Sequence, residues 1–517
     1  MKVLPALTYV CFTAAVALIL TGCAVDSAPL SHRVPRGVAP RNVILIIGDG
    51  MGPQQVALSE IYWRRIGDQR AAPLHRFLSK ATNGIHIPLP ERSLVNDSAC
   101  AASQLAGGCR CEPQQVGLDI DDARCPSLLR SAKKAGLRVG LISDTRITHA
   151  TPAAFYGHVR DREEEFKLAE QQIEADADVA FSGGADFFLP APIGDRPVPT
   201  SGATSCYRSG WGRRADGTDL LSRAQAHGAT VVCSSAELAR ARDLPVLGLF
   251  APQYMANAFR EGEGAEPTLA QMTERALSLL ENPSGFFLMV ESGQIDTAAH
   301  VNDAGWVFAE MLRLSSAMRV IERFVERHPE TLVVLTADHE TGGMGFSYRR
   351  SEGAGEVADA PKKRLDFLSD DHLELLNRQR ASISDILSHH NRLTVTVKVD
   401  GEVNNRDLQR ALRDATGVTV DEVEFSSFLS QRFKQNTDRT VRIAEGCSHG
   451  FYPYDNFMLT AAVARRISAA QGIAWATGTH TSTPINVLAH GPGAERFQGW
   501  LTAKEVGQRL LRAIEPR

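Results

Sequence analysis

Short runs of branched and aliphatic residues, too apolar to face water on either side, recur along this chain with amphipathic stretches between them. Strands buried on both faces and alternating with helices belong to an α/β fold with a mostly parallel central sheet and helices on both faces. The pattern predicts strands over Val43–Ile47, Arg138–Ser143, Val246–Phe250, Phe286–Val290, Leu332–Thr336 and Ile485–Ala489. It predicts helices over Gln54–Arg65, Leu269–Leu280, Ala304–Glu326 and Ala503–Ile514. With 517 residues, 43% hydrophobic, such a chain can bury a large core. A net charge of -4 lacks the basic excess of a protein that tracks a nucleic-acid backbone, so nucleic acid is not an expected partner.

The first 22 residues place one lysine ahead of an apolar stretch that ends in Leu20-Thr21-Gly22, followed by Cys23. This is an export signal. Its ending resembles a bacterial lipobox, which implies cleavage before Cys23 and a lipid on that cysteine as the link to a membrane. A plain signal peptide and an uncleaved anchor stay open. Ala24 lacks the acidic character that retains such proteins at the inner membrane, so the expected address is the outer membrane. Residues 23–40, rich in Ser, Pro and Ala, read as a tether.

Seven cysteines follow Cys23, and export puts them where disulfides form. Cys206 with Cys233 would close a loop, and Cys125 has Cys109 or Cys111 as candidate partners; sequence does not fix the connectivity. The main domain is expected over 41–345 and 455–517. Residues 346–454, with charged helical text and a short alternating run over Leu393–Val399, read as an inserted cap or as surface helices and a hairpin without a role.

Polar groups gather just beyond the carboxyl ends of the predicted strands, the edge where open α/β sheets bind ligands. The first strand runs into Gly48-Asp49-Gly50-Met51-Gly52, where glycines would let a metal and a phosphate approach the backbone. Asp97-Ser98-Ala99 places a hydroxyl at a helix start, facing free N–H groups that suit a phosphoryl group. His149-Ala150-Thr151-Pro152 offers a hydroxyl for a metal, and Arg160 or Arg162 a guanidinium that can clamp two phosphate oxygens. Glu291 and Asp296 end a Phe-Phe-Leu-Met-Val strand, and Asp296 and His300, four residues apart, share one side of a helical turn. Acidic residues at the end of a buried strand are costly unless paired or metal-bound. Asp338 and His339 end another strand, and His480 precedes a further one. Each signal taken alone has an ordinary structural explanation, as a turn, a cap or a core histidine.

In this order, strand-GDGMG, DSA, HATPAA, E-x4-D-x3-H, TADH and TH resemble the motifs of the alkaline phosphatases, from Asn42 to about Gly493. The resemblance implies hydrolysis of phosphate monoesters with two zinc ions and a magnesium. It implies Asp296, His300 and His480 as ligands of a first zinc, and Asp49, Asp338 and His339 as those of a second, with Ser98 as nucleophile. Thr151 and Glu291, with Asp49 bridging, would hold the third metal, and Arg162 would clamp the phosphate. His149 stands where the best-known bacterial pattern has an acidic residue, and is a possible neighbour of that third metal; Thr297 stands where that pattern has Lys. A sulfatase would need a C/S-x-P-x-R motif, which Cys125-Pro126-Ser127-Leu128-Leu129-Arg130 does not supply. A phosphodiesterase of the same superfamily, and a surface lipoprotein without turnover, are the other readings, and a homodimer stays open.

Overall fold

The computed structural model describes residues 39–67, 72–192, 211–350, 365–396, 405–420 and 458–515. The signal segment, Cys23, most of the tether, Cys206 and Cys447 lie outside them. The described residues fall within one compact unit. Among the described residues no helix is long and apolar enough to cross a membrane.

A ten-stranded sheet organises the molecule. Numbered along the chain, its strands are β1 (Asn42–Gly48), β2 (Thr82–Ile87), β3 (Arg138–Arg146), β4 (Val179–Gly183), β5 (Thr230–Val232), β6 (Val246–Leu249), β7 (Phe286–Ser292), β8 (Thr331–Thr336), β9 (Ile485–His490) and β10 (Gly499–Thr502). Their order across the sheet is β10-β2-β9-β8-β1-β7-β3-β4-β6-β5. Every pairing is parallel except those of β9, which runs against both β8 and β2. The sequence reading found β1, β3, β6, β7, β8 and β9 but not β9's direction, nor β2, β4, β5 and β10. The last three are only three to five residues long, too short for periodicity to register.

Two apolar cores cover the faces of the sheet. On β1 the alternation is direct: Val43, Leu45 and Ile47 join one core, Ile44 and Ile46 the other. Each such side chain, fully buried, contributes about 1.5–3 kcal/mol. The long helix Ala304–Arg327 packs on the second face, and helix Ala503–Ile514 on the first.

Helices Asp370–Arg378, Ile383–Thr396 and Asn405–Thr416 follow two short strands, Arg349–Arg350 and Leu365–Asp366. A separate small core joins Ile383, Leu387, Leu408, Leu412, Val418 and Val420 to Val463, Ala464 and Ile467, and so draws on both sides of position 454. The alternating run at Leu393 is no strand as far as Thr396: those residues finish a helix begun at Ile383.

Two disulfides lie beside the helix Ser98–Gly107. Cys125 pairs with Cys109, one of the two partners open to it, and Cys111 pairs with Cys100.

Candidate metal centre and active site

Parallel register sets the site. Across four adjacent strands, Thr336 of β8, Ile47 of β1, Glu291 of β7 and Ser143 of β3 stand level at their carboxyl ends. Residues just beyond that line, Asp338 and His339, Asp49, and Thr151, therefore converge above the sheet edge with Glu291.

Glycine makes the convergence possible. Gly50 has φ +70, and a Cβ there would lie 2.8 Å from Asp296 Cα; one at Gly52 would lie 2.1 Å from Glu340 Cγ. The protein's own atoms occupy the space those glycines leave.

Ser98 begins a ten-residue helix in which every residue is buried, capped by Asp97, whose carboxylate accepts from Cys100 N. A Cβ at Gly507 of the neighbouring helix would lie 2.0 Å from Gln104 O, so that close approach keeps the serine helix in place. Ser98 Oγ lies 3.1 Å from His339 Nε2.

Three groups of carboxylates and imidazoles are close enough to share an ion: Asp296, His339 and His480; Asp49, Asp338 and His339; Asp49, His149 and Glu291. His300 belongs with the first, its Nε2 3.2 Å from Asp296 Oδ2 and 3.1 Å from His480 Nε2. In the second, His339 Nε2 is 3.2 Å from Asp338 Oδ2 and 3.5 Å from Asp49 Oδ1. Beside the third, Thr151 Oγ1 donates to Asp49 Oδ2 at 3.3 Å.

These groups fit metal ions on their own chemistry. His300 Nδ1 lies 2.7 Å from Gly478 O and His480 Nδ1 lies 3.0 Å from Asn96 O. With Nδ1 of each ring donating to a carbonyl, the two Nε2 atoms face each other, an arrangement satisfied by a cation between them or by a proton on His300, which burial opposes and Asp296 favours. A second-sphere carbonyl of this kind orients metal-binding imidazoles. Asp49 Oδ1, Glu291 Oε1, Asp338 Oδ2 and His149 Nδ1 are buried with no hydrogen-bond partner.

The electrostatics agree. Burial, then the neighbouring charges of Asp338, Asp296 and Glu291, push Asp49 well above the carboxylate range. Asp338 is pushed up to about 7 by burial and then by the Asp296 charge. Burial raises Glu291 against hydrogen bonds from Ser143 and Thr145, with Asp144 and Asp338 adding to the rise. Burial also acts on Asp296, but His300, His480 and His339 outweigh it and hold that carboxyl low. Burial depresses His339 and His149, and lowers His480 to about 4, keeping all three neutral. Excess negative charge in a dry site is a standing demand for cations.

Arg162 is held by Asp97 at 3.3 Å and donates to His149 Nε2 at 3.1 Å, and both arginine and histidine line a cleft of about 1010 Å³ with Ser98, Thr297 and His480. Arg160 is not in that cleft: it is largely exposed and paired with Asp122. Sequence reasoning missed Arg146 and Tyr254 in the cleft wall, with the guanidinium of Arg146 4.6 Å from the centre of the Tyr254 ring. Tyr254 comes from a loop after β6, where no strand ends in a telling residue.

Fold and site together define a metal-binding hydrolase. The family model described as alkaline phosphatase matches residues 40–515, and the chain belongs to that family. It is a phosphatase. Alkaline phosphatase 4 of Bacillus subtilis is 27% identical over 486 residues, spanning 92% of this chain and 89% of the relative. The crystal structure of Thermus thermophilus alkaline phosphatase superposes with a TM-score of 0.74 at 28% identity, covering 93% of this chain and 92% of that one. A variant of the alkaline phosphatase of the Antarctic bacterium TAB5, with Mg bound in its M3 site, shares the fold with a TM-score of 0.60 at 20% identity, covering 92% of this chain and 98% of that one.

Proposed function

We propose that this phosphatase hydrolyses phosphate monoesters through a phosphoserine at Ser98. Asp296, His300 and His480 would hold one zinc ion, Asp49, Asp338 and His339 a second, and Asp49, Thr151 and Glu291 a magnesium. When bound, these ions supply charge neutralisation for the attacking and leaving oxygens. The observation that carries this reading is the buried Ser98 hydroxyl at a helix N-terminus, 3.1 Å from Nε2 of His339, a residue common to two of the three groups.

Ser98 Oγ attacks phosphorus, forming an O–P bond as the ester P–O bond breaks and the alcohol departs. Water then attacks the phosphoserine from the vacated side, releasing phosphate and restoring the hydroxyl. Arg162, fixed by Asp97 and His149, holds non-bridging oxygens through both steps, and the N–H groups at the start of the serine helix face the same charge.

Ser98→Ala should cut turnover at least a thousandfold, on the order expected for loss of a nucleophile, while metal content stays near the parent value. Acid-quenched labelled substrate should leave phosphate on the parent and none on the variant. Near-parental turnover in the variant would overturn the assignment.

The protein is also inferred to be exported and lipid-anchored at Cys23, on the strength of residues 1–23 alone. Labelled fatty acid should appear on the mature protein and vanish in Cys23→Ser; a mature N-terminus elsewhere defeats this reading.

A further inference from the structure

Beneath the three carboxylate groups lies a second set of buried polar residues with no part in the steps above. β7 ends at Ser292, and the chain turns through Gly293 into the helix Gln294–His300, so one short turn separates Glu291 from Asp296. Gly293 N donates to Asp144 Oδ1 at 2.6 Å, and Ser292 Oγ lies 3.5 Å from Asp144 Oδ2. Gln294 Nε2 donates to the main-chain oxygens of Asp144, at 3.1 Å, and of Met255, at 3.0 Å. Met255 N closes the ring by donating to Asp144 O at 3.2 Å. Three segments, within β3, after β6 and after β7, are thereby tied at one point, and the second carries Tyr254 into the cleft.

Asp144 is fully buried, and its charge is answered from the long helix Ala304–Arg327. Arg313 Nη1 lies 3.5 Å from Asp144 Oδ2, and the same guanidinium meets Glu310 at 3.2 Å and Glu261 at 3.0 Å. A buried ion pair adds little net stability over well-packed apolar residues. Its position accounts for it better. The turn it grips has no slack, since a Cβ at Gly293 would lie 2.3 Å from Thr145 Cγ2 and 2.9 Å from Glu291 Oε1.

We propose that Asp144, anchored by Arg313, is a positioning residue that fixes the spacing of Glu291 and Asp296 and so sets how tightly the chain holds the metal ions at those two carboxylates. The proposal rests on the reading of Glu291 and Asp296 as ligands. Groups that orient metal ligands from behind change affinity by roughly 10- to 100-fold when altered.

Two substitutions test it. Asp144→Asn keeps the shape and an acceptor for Gly293 N–H but removes the charge that Arg313 answers. Gln294→Met removes the donor to Asp144 O and Met255 O without a charge change. Each metal-loaded protein is challenged with a graded chelator, retained zinc and magnesium are measured by elemental analysis, and kcat is read with and without excess of both ions. Both variants should release metal at roughly tenfold lower chelator concentration than the parent, with kcat restored by excess metal. Unchanged metal retention in the variants, or lost activity that excess metal does not restore, overturns the proposal. Should Asp144→Asn not fold, Gln294→Met decides alone. Glu291→Ala and Asp296→Ala run alongside; if these keep their metal, the ligand reading fails instead, whatever Asp144 does.

Discussion

His149 illustrates how one side chain can answer two neighbours. Its Nε2 accepts from Arg162, while its Nδ1 is buried without a partner and the ring belongs to the group with Asp49 and Glu291. Burial first, and then the charges of Arg162 and Arg146, keep the imidazole neutral. A neutral nitrogen offers a hard cation such as magnesium less than a carboxylate does, and suits zinc better. His149→Asp should therefore lower the Mg²⁺ concentration needed for full activity several-fold, and Glu291→Ala should raise it by tenfold or more, on the scale of a lost ligand partner. A Mg²⁺ titration of initial rate at fixed low zinc checks both. Three superimposed curves would mean that neither residue shapes a third metal site.

At the scale of elements, β2 shows what a buried pairing demands of its residues. His86 of that strand is fully buried, with Nε2 donating to Ala337 O at 2.9 Å and Nδ1 left without a partner. Desolvation is the main cause that lowers its pKa to about 4, against an ordinary value of 6.5. The unfolded chain thus binds a proton that the folded chain refuses between pH 6.5 and about 4. Stability from this group is fully present above pH 6.5 and is lost as pH falls through that window, by up to about 3 kcal/mol. His86→Gln, which keeps a donor near the Nε2 position and cannot titrate, should flatten part of the acid loss. Urea unfolding of both proteins at pH 8 and pH 5 measures it; an equal loss in the two would show that His86 does not titrate on unfolding. Ala337 lies just before Asp338, so the same bond also ties β2 to the strand end that carries two of the site residues.

On the scale of the whole molecule, the sheet brings four carboxylates and four imidazoles to one edge, so metal binding there should be coupled to folding. Ions that bind only the folded chain stabilise it by RT ln(1 + [L]/Kd), about 4 kcal/mol at a thousandfold excess over Kd. Removing metal with a chelator at pH 8 should lower the unfolding temperature by several degrees, and zinc with magnesium should restore it. Calorimetry with and without chelator is the check. An unchanged transition in demonstrably metal-free protein would show that the charge cluster is tolerated without ions.

The sequence alone determined which short runs are too apolar to meet water, and hence the buried strands with acidic residues at their carboxyl ends. That is local chemistry: β1, β7 and β8 announce themselves because an apolar run followed by Asp or Glu is costly unless something cationic lies beyond it. The order of motifs then carried the resemblance to the family. What only the tertiary structure decided is distance. Arg162 and Arg160 are two residues apart and chemically alike, yet one lies partly buried against Asp97 and the other pairs with Asp122 at the surface. Likewise Cys100 pairs with Cys111, the direction of β9 is reversed, and Asp144 meets Arg313 across 169 positions of chain, with no periodicity to mark it. Such pairings arise where separate strands and helices pack, and a pattern confined to one segment holds no record of what lies across the sheet from it.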